Sequence, residues 1–358
     1  MKVLVTGSEG YLGALLVPVL LDQGHAVTGV DTGYYKTGYL YNTNSHSPQT
    51  LAKDIRHLTC DDLRGQEAIV HMAELSNDPL GELDSNITYE INHKGTLHLA
   101  NVAKSVGVKR FIYMSSCSVY GVATNSEVTE ETPPNPQTAY AICKTLCERD
   151  LKQLASKNFV PCYFRNATAF GASPRQRFDL MLNNLCGLAW TTKEIKMISD
   201  GTPWRPLVHG LDIAKAIACA LDAPADAIYN ETFNVGDNGQ NYRVKEVAEK
   251  VAKVFPGCSM TFGSHSDNRS YRVNFDKIRK HLPEFQCEWD ADKGVEQFYR
   301  LFRQIDFTLE TFEYRAFTRL KQLQYLIRTG QIDKSFFWRQ PNGSDLQAKT
   351  PKPPHTRD

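Results

Sequence analysis

Tyr140 and Lys144 are the two residues in this sequence whose types and spacing point most directly to chemistry. They stand four positions apart in a segment with a helical pattern, so both side chains project from one helix face. A phenol has an ordinary pKa of about 10, and a neighbouring ammonium stabilises the phenolate and lowers that pKa. Such a pair can exchange a proton with an alcohol or sugar hydroxyl. On its own, this spacing is common by chance and usually marks an exposed helix face.

Three serines follow a predicted apolar strand and would lie at the same edge of a sheet. They are Ser115, Ser116 and Ser118. A serine hydroxyl in this place can share the proton with Tyr140 and orient a substrate oxygen. For two of the three serines, capping the end of the strand is the ordinary alternative.

A glycine-rich turn after the first predicted strand indicates a dinucleotide site. The turn and the start of its helix comprise Gly7, Gly10, Tyr11, Leu12 and Gly13. The glycines let backbone N–H groups approach a pyrophosphate, whose charge the helix N-terminus favours. Asp31 ends the second strand about 20 residues later, where a carboxylate accepts hydrogen bonds from the adenosine ribose. It would also repel a 2′-phosphate, which favours NAD over NADP; a solvated loop carboxylate is the alternative.

Two further segments extend this predicted cofactor site. Asp54 and Ile55 follow the third strand, where the carboxylate would lie near the adenine amino group. Met72 and Ala73 follow the fourth strand, at the carboxyl edge of the sheet where ligands bind. With NAD bound there, the Tyr140–Lys144 pair would move a proton while a hydride moves to or from the nicotinamide.

The elements that must position these residues follow a βαβ pattern. Short β-branched runs alternate with longer helical patterns in the first half of the chain, which predicts a parallel sheet. Strands are predicted at Lys2–Thr6, Ala26–Val30, Ala68–Met72, Arg110–Ser115, Val160–Arg165 and 232–236, and helices at Tyr11–Gln23, Leu83–Val106, Pro136–Ser156, Phe178–Ala189, 212–221 and 312–328. The expected fold is α/β, a Rossmann-type doubly wound parallel sheet with a smaller C-terminal substrate-binding lobe.

The pattern changes along the chain and so predicts several units. These are an NAD-binding domain at 1–170, rejoined by about 207–236; a substrate-binding lobe at 171–206 and 237–310; a C-terminal helical extension at 311–340; and a flexible tail at 341–358. The extension is expected to pack on the body, and an oligomer contact is the alternative. The stretch 32–49 is predicted to be a long loop, either a lid or plain disorder.

The composition excludes several classes of protein. The chain has 358 residues with 41 basic and 40 acidic side chains. A formal net charge of +1 argues against a nucleic-acid or anionic-membrane partner, and no run approaches the roughly 18 apolar residues of a membrane span. The N-terminus resembles a strand rather than a secretory signal, so we expect a cytoplasmic protein. Nine cysteines without a C-x-x-C pair indicate reduced thiols and no metal site.

Together these motifs resemble the extended short-chain dehydrogenase/reductase family, and within it the nucleotide-sugar epimerases and dehydratases. The resemblance covers residues 2 to about 280 and rests on 6–13, Asp31, 115–121, 140–144, Arg165 and Asn166 with Phe170 and Gly171, and 204–209 followed by Asp212. It implies NAD as cofactor, with Ser116 as the hydroxyl of a triad. It also implies that Tyr140 is the base and that Lys144 activates it and binds the ribose.

The resemblance also implies a nucleotide-diphosphate sugar as substrate. The residues it places at the diphosphate are Asn166, Asn183 with its neighbour Asn184, Arg205, and either Arg269 or Arg272. Most arginines are simply solvent-exposed, but a cleft lined by several of them suits a diphosphate. A homodimer built by the helices predicted at Leu83–Val106 and Pro136–Ser156 is implied as well.

One position departs from the family pattern. Sugar 4,6-dehydratases carry an acidic pair directly after the triad hydroxyl, where this sequence has Cys117 and Ser118. A thiol with an ordinary pKa of about 8.5 substitutes poorly for a carboxylic acid, and Ser118 is no base unaided, so dehydration is disfavoured. A lesser hypothesis makes Cys117 an acid or base beside a ketone.

We therefore expect an NAD-dependent nucleotide-sugar epimerase, which oxidises a ring carbon, usually C4, and then returns the hydride. The alternatives are an NAD(P)H-dependent 4-keto-sugar reductase and a 4,6-dehydratase. A non-catalytic dinucleotide sensor is a further alternative from another class. Such a sensor has no need of Ser116, Tyr140 and Lys144, and their presence argues against it.

Overall fold

The computed structural model of the protein describes residues 1–43, 48–122, 127–265 and 270–339. The strands are β1 (Lys2–Thr6), β2 (Ala26–Asp31), β3 (Gln49–Ala52), β4 (Ala68–His71), β5 (Arg110–Ser116), β6 (Glu127–Val128), β7 (Val160–Asn166), β8 (Thr168–Phe170), β9 (Glu194–Ser199), β10 (Trp204–His209), β11 (Thr232–Val235), β12 (Asn241–Arg243), β13 (Ser259–His265) and β14 (Arg272–Val273). The predicted tail at 341–358 lies outside the described residues, as does part of the predicted loop at 32–49.

The α-helices frame these strands. They are α1 (Gly13–Asp22), α2 (Cys60–Leu63), α3 (Asp78–Gly81), α4 (Ser85–Thr88), α5 (Thr96–Ser105), α6 (Ala139–Lys152), α7 (Met181–Thr191), α8 (Gly210–Asp222), α9 (Ala225–Ile228), α10 (Val244–Val254), α11 (Asp276–His281), α12 (Ala291–Gln304), α13 (Leu309–Glu313) and α14 (Arg319–Arg328). Across the described ranges, no helix combines the length and apolar character that a bilayer crossing requires.

A seven-stranded parallel sheet organises the first part of the chain, which confirms the predicted α/β, Rossmann-type class. Its strand order is β11-β7-β5-β4-β1-β2-β3. The strands β4 and β7 are almost entirely buried, because helices cover both faces of a doubly wound sheet. β11 joins this sheet beside β7, so the chain returns to the sheet after visiting other elements.

A second apolar cluster lies beyond this sheet and is rich in aromatic side chains. Its centre is Phe178, whose ring lies 5.2 to 6.2 Å from those of Phe302, Phe307, Phe312 and Phe317. The helices α7, α10 and α12 bury their apolar faces against one another here. These elements form the body next to the carboxyl ends of the main strands.

Two predicted helices are wrong in detail. The helix predicted at Leu83–Val106 begins as the short α4, which Asp84 caps by accepting from the Ile87 N–H, and passes through a π-helical turn at Tyr89–Gly95 before α5. The turn places the Asn92 side chain where it bonds to the N–H and the carbonyl of Leu75 at 2.8 and 3.0 Å. A buried polar side chain with two backbone partners outweighs a regular helical repeat here.

The helix predicted at 312–328 is also interrupted. A 3₁₀ turn at Arg315–Phe317 separates α13 from α14. The Phe317 carbonyl accepts from the Phe178 N–H at 2.9 Å, which commits that carbonyl to a tertiary contact. We call residues 315–339 the C-terminal segment.

Candidate active site

A single cavity at the carboxyl ends of β1, β2, β4 and β5 contains most of the predicted functional residues. Its walls include the glycine turn, Asp31, Met72 and Ala73 on one side and Ser116, Tyr140 and Lys144 on the other. The carboxyl ends of parallel strands meet at one sheet edge, which is why segments far apart in sequence share this cavity.

The glycine turn forms a cradle that side chains would fill. Gly7 has φ of 73°, a left-handed conformation that favours glycine, and its N–H donates to the Val30 carbonyl at 2.8 Å. A Cβ at Gly13 would lie 2.2 Å from the Gly7 oxygen, so the turn and α1 can approach this closely only without a side chain. Backbone N–H groups at the start of α1 are thereby available to an anion such as a pyrophosphate. The cradle fits the predicted dinucleotide.

Tyr11 and Leu12 lie between Gly10 and Gly13 and have different structural roles. Tyr11 is buried and its hydroxyl donates to the Gly171 carbonyl at 2.8 Å. Leu12 is the N-cap residue that immediately precedes α1, and both residues line the cavity. Tyr11 therefore connects the glycine turn to the segment that follows β8.

Asp31 ends β2 with its carboxylate already oriented. Its two oxygens accept from the backbone N–H groups of Glu9, at 3.1 Å, and Gly33, at 2.8 Å. Burial raises the pKa of this carboxyl, and the two hydrogen bonds oppose that shift because they stabilise the charged form. The bonds hold the carboxylate at the cavity wall, where it can accept from ribose hydroxyls.

Asp54 and Ile55 line the same end of the cavity. The Asp54 side chain accepts from the Arg56 backbone N–H at 2.9 Å and from the Arg56 guanidinium at 2.9 and 2.7 Å. Ile55 is buried in the one-turn 3₁₀ helix that Asp54 caps. Arg56 therefore fixes the carboxylate that the sequence places near an adenine.

The backbone of Met72 and Ala73 is fixed by a chain of hydrogen bonds below the cavity. Thr6 Oγ1 accepts from both N–H groups, at 3.1 and 3.2 Å, and is bonded to His71 Nδ1 at 2.7 Å. His71 Nε2 lies 2.7 Å from Thr96 Oγ1. Burial, followed by the charge of Lys144, lowers the pKa of His71 to about 3, so the imidazole is neutral.

The predicted proton-transfer residues come together at the opposite end. Thr138 caps α6 by accepting from the Ala141 N–H, which starts the helix immediately before Tyr140. Lys144 Nζ lies 5.5 Å from the centre of the Tyr140 ring and donates to the Met114 carbonyl on β5. Ser116 ends β5 and lines the cavity beside them. One helix and one strand therefore hold all three residues.

The electrostatics of Tyr140 differ from the simple expectation. Burial raises the pKa of its phenol, whereas the charge of Lys144 and a hydrogen bond from Ser116 lower it. The outcome of these effects is a raised pKa, because burial and the neighbouring carboxylate of Glu74 outweigh the ammonium. Lys144 thus acts on the phenol in the predicted direction without dominating it.

Glu74 is a residue of the cavity wall to which the sequence interpretation assigned no role. Its buried carboxylate lies 2.5 Å from Lys144 Nζ and accepts from the Tyr113 hydroxyl at 2.8 Å. Burial lowers the pKa of Lys144, but the charge of Glu74 outweighs it and raises that pKa. An acidic residue three positions after the buried strand β4 was the available signal.

Cys117 and Asn166 also line the cavity. The Cys117 thiol donates to the Arg165 carbonyl at 3.1 Å, and burial raises its pKa, which favours a thiol that keeps its proton. Asn166 donates to the carbonyls of Ser115 and Phe164, at 3.2 and 3.3 Å, and its side-chain oxygen is buried without a partner. That oxygen is an acceptor on the wall for which the described residues provide no partner.

The remaining predicted substrate residues are placed less uniformly. Arg205 lines the cavity and donates to the Trp204 carbonyl at 2.8 Å. Arg272 is exposed, with its guanidinium 5.3 Å from the Trp204 ring, and is not part of the cavity wall. Asn183 is fully buried and bonded to the Gly171 N–H and the Arg177 carbonyl, each at 3.0 Å. Arg269 lies outside the described residues.

Comparison with known proteins identifies a matching family model and similar curated proteins. The sequence model of the NAD-dependent epimerase/dehydratase family matches residues 3–236. A UDP-glucose 4-epimerase of Corynebacterium glutamicum is 28% identical over 71% of this chain and 80% of its own length. A UDP-glucose 4-epimerase of Bacillus subtilis is 26% identical over 83% of this chain and 94% of its own length.

Similarity extends to solved structures at the level of the fold. A crystal structure of UDP-glucose 4-epimerase with UDP-glucose from Thermotoga maritima superimposes with a TM-score of 0.75. The alignment covers 86% of this chain and 100% of that one at 21% sequence identity. The region matched by the family model ends at Gly236, before the C-terminal segment (residues 315–339) begins.

Proposed function

This chain belongs to the NAD-dependent epimerase/dehydratase family, and we propose that it is a nucleotide-sugar 4-epimerase acting on UDP-hexoses. The carrying observation is the cluster of Ser116, Tyr140 and Lys144 in the cavity that the glycine turn and Asp31 also line. Relatives named UDP-glucose 4-epimerase support the reaction and the substrate class. The cofactor and the proton-transfer groups would then meet in one place.

The residues that would hold NAD follow from the two ends of the cavity. The glycine turn would bind the pyrophosphate through backbone N–H groups, and Asp31 would accept from the adenosine ribose. Lys144 would donate a hydrogen bond to the ribose next to the nicotinamide. Bound NAD supplies a hydride acceptor for the sugar carbon and then gives the hydride back.

Tyr140 is proposed as the group that moves the proton. As a phenolate it takes the proton from the C4 hydroxyl, so a phenol O–H bond forms while the C4–H bond is lost as hydride and C4 becomes a ketone. Ser116 orients the C4 oxygen by a hydrogen bond. With NAD bound, the keto sugar would present its other face for the return of the hydride, and Tyr140 would give its proton back to the C4 oxygen. No net oxidation occurs.

Lys144 and Glu74 are proposed to set the state of that phenol. The ammonium of Lys144 stabilises the phenolate, and Glu74 keeps Lys144 protonated despite its burial. Glu74 also offsets part of the ammonium's effect on Tyr140, since its own charge raises the pKa of the phenol. Glu74 is thus a positioning residue that acts through Lys144.

Several features disfavour a dehydratase. Elimination of water needs an acid for the departing hydroxyl and a base for the neighbouring carbon. Cys117 and Ser118 stand where such a pair is expected, and the Cys117 thiol is bonded to the Arg165 carbonyl with a raised pKa. The same observation weakens the hypothesis that Cys117 acts as an acid or base. A reductase would share the Tyr140 cluster, and only the fate of the nicotinamide separates it from an epimerase.

Substrate contacts are proposed for the part of the wall near Ser116. Arg205 would bind the diphosphate as a charge-assisted partner, and Asn166, with its unsatisfied oxygen, would accept from a substrate hydroxyl. The backbone partners of Asn183 and the exposure of Arg272 make those two residues poorer candidates.

We further propose a cytoplasmic homodimer that serves carbohydrate biosynthesis.

A product assay tests this proposal. Full-length protein is denatured to identify any retained dinucleotide, and intact protein is incubated in deuterated water with UDP-glucose, UDP-galactose and their N-acetylated and glucuronic acid counterparts. We expect retained NAD and a C4 epimer that carries no solvent deuterium. Stoichiometric consumption of reduced nicotinamide would instead identify a reductase, and a product lighter by one water would identify a dehydratase.

A further inference from the structure

The C-terminal segment closes one end of the cofactor cavity. Trp338 Nε1 donates to the Thr32 carbonyl at 2.6 Å, directly after Asp31. Gln322 donates to the Tyr34 carbonyl at 2.9 Å, and the Tyr34 hydroxyl donates to the Phe336 carbonyl. The segment therefore lies against the loop that follows β2, at the end of the cavity where Asp31 stands.

The same segment also covers the Asp54 side of this end. Arg56, which holds the Asp54 carboxylate, donates to the Ser335 carbonyl at 2.9 Å. Its guanidinium lies 3.9 Å from the centre of the Phe337 ring. The C-terminal segment thus contacts Thr32, the residue after Asp31, and Arg56, the partner of Asp54.

Arg319 of this segment is a buried cation on the cavity wall. Its side chain is 3% exposed and belongs to the same wall as the glycine turn, Asp31 and Arg177. Its guanidinium stacks on Tyr35 at 4.0 Å, and one nitrogen is 3.4 Å from the Ala316 carbonyl. Among the residues that the structure describes, no carboxylate forms an ion pair with it. A buried charge without such a partner is costly unless another group compensates it.

Charged and phenolic side chains surround Arg319 on the cavity wall. Burial, followed by the charge of Arg177, lowers the pKa of Arg319 to about 10, whereas Tyr35, Asp179 and Asp31 oppose the shift. Arg177 is itself neutralised by Asp179, with two bonds of 2.9 Å, and its remaining nitrogen donates to Ser76 Oγ at 3.1 Å. Of these two buried arginines, Arg319 is the one that forms no ion pair within the described part of the chain.

We propose that Arg319 binds the diphosphate of the dinucleotide, so that the C-terminal segment helps to retain NAD. The inference rests on the proposed use of the cavity for NAD. A dinucleotide bound there would link the ribose at Asp31 to the ribose at Lys144, and its diphosphate would cross the wall between them. The glycine turn offers N–H groups from one side, and the Arg319 guanidinium supplies a full positive charge from another.

Binding measurements on the full-length protein freed of nucleotide test this assignment. NAD, NADP, ADP and adenosine are titrated by calorimetry into the natural protein, R319Q and K321Q. Lys321 lies on the same helix but is exposed, so K321Q removes an equal charge away from the cavity. We expect R319Q to weaken NAD and ADP about 10-fold or more and adenosine by less than about twofold. K321Q should bind all four as the natural protein does.

Several outcomes would overturn the proposal. These are unchanged NAD binding in R319Q, a loss confined to NADP, which would place the arginine at the 2′-phosphate, and an equal loss for adenosine, which would indicate a purely structural role. If R319Q does not fold, R319K is used instead, because it keeps the positive charge but lacks the planar guanidinium. A selective loss of affinity for NAD and ADP over adenosine is again expected. The two proposals fail independently. If R319Q binds NAD as tightly as the natural protein does, the result of the epimerase assay is unaffected. If the epimerase assay finds no activity, the affinities expected here for NAD, ADP and adenosine are unaffected.

Discussion

The two ends of the cavity are built in different ways. The catalytic end combines Ser116, Tyr140 and Lys144 from β5 and the helix that follows it, so its main residues are near neighbours in sequence. The adenosine end combines the loop after β2 with the C-terminal segment, and its bond from Trp338 to Thr32 joins residues 306 positions apart. The first end is a local motif, and the second depends on the folding of the whole chain.

This difference predicts a division of labour. Changes to Tyr140 or Ser116 at the catalytic end should alter turnover and leave the affinity for NAD nearly intact. Changes at the adenosine end should alter the affinity for NAD and leave turnover intact once NAD is saturating. Each of the following variants tests that division, beginning with the largest expected effect.

Substitution of Tyr140 by phenylalanine should abolish most activity. Y140F removes the group proposed to move the C4 proton, so we expect turnover of UDP-hexose to fall about 10³-fold, within the range for general acid–base groups. The affinity for NAD, measured by calorimetry, should change by less than about twofold. Y163F is the matched control, because Tyr163 is a buried sheet residue whose hydroxyl bonds to Asn230. Retention of a tenth or more of the turnover by Y140F would contradict the mechanism.

Substitution of Glu74 by glutamine should shift the pH dependence of turnover. The Glu74 charge raises the pKa of Tyr140, so its removal lowers that pKa. Activity that requires the phenolate rises as pH passes through this pKa, and the rise should therefore move to lower pH, by about one unit. The measurement is kcat against pH at saturating NAD. E90Q, at an exposed residue paired with Lys94, should leave the profile unchanged. An E74Q profile that stays in place would refute this role, whereas a move to higher pH would show that Glu74 acts on the phenol mainly by keeping Lys144 charged.

Removal of the Trp338 side chain tests the adenosine end. W338A deletes the bond to the Thr32 carbonyl and the ring that lies 5.7 Å from Tyr34. We expect NAD affinity to fall about fivefold, as for loss of one hydrogen bond with its packing, and kcat at saturating NAD to stay within about twofold. W338F keeps a ring without the donor and should fall between the two proteins. A fall in kcat without a change in NAD affinity would erase the proposed division.

Substitution of Cys117 by serine should have the smallest effect. The thiol donates to the Arg165 carbonyl, and a serine hydroxyl can make the same bond. Burial raises the pKa of the thiol, so no thiolate is available for catalysis near neutral pH. C117S should therefore keep turnover within about twofold in the product assay. A loss comparable to that of Y140F would make Cys117 a catalytic residue after all.

The same contrast explains how much could be predicted from the sequence. The six predicted strands of the main sheet lie within one residue of their observed ends, because buried β-branched runs bounded by turns have one favourable arrangement. The glycine turn was also predictable, since Gly7 and Gly13 meet backbone constraints that few other residues satisfy. The bounds of the short edge strand β3, which was expected only as a strand before Asp54, and the break between α13 and α14 were not predicted.

The parts that escaped prediction depend on distant partners. Glu74 is recognisable only once Lys144, 70 positions later, is seen 2.5 Å away. Arg319 looks like an ordinary helical arginine until folding buries it beside the loop that follows β2. Asn183 shows the reverse, since the amide predicted to face substrate is used by backbone groups of the fold. Pairings of this kind carry no periodic signal in a single sequence.

The most direct test of the central claim follows the hydrogen at C4. UDP-glucose deuterated at C4 is incubated with the full-length protein in ordinary water, and the product is analysed by NMR and mass spectrometry. Transient oxidation with return of the same hydride predicts a C4 epimer that keeps its deuterium at C4. An epimer in which that deuterium is replaced by solvent hydrogen, or a product that has lost water, would contradict the account.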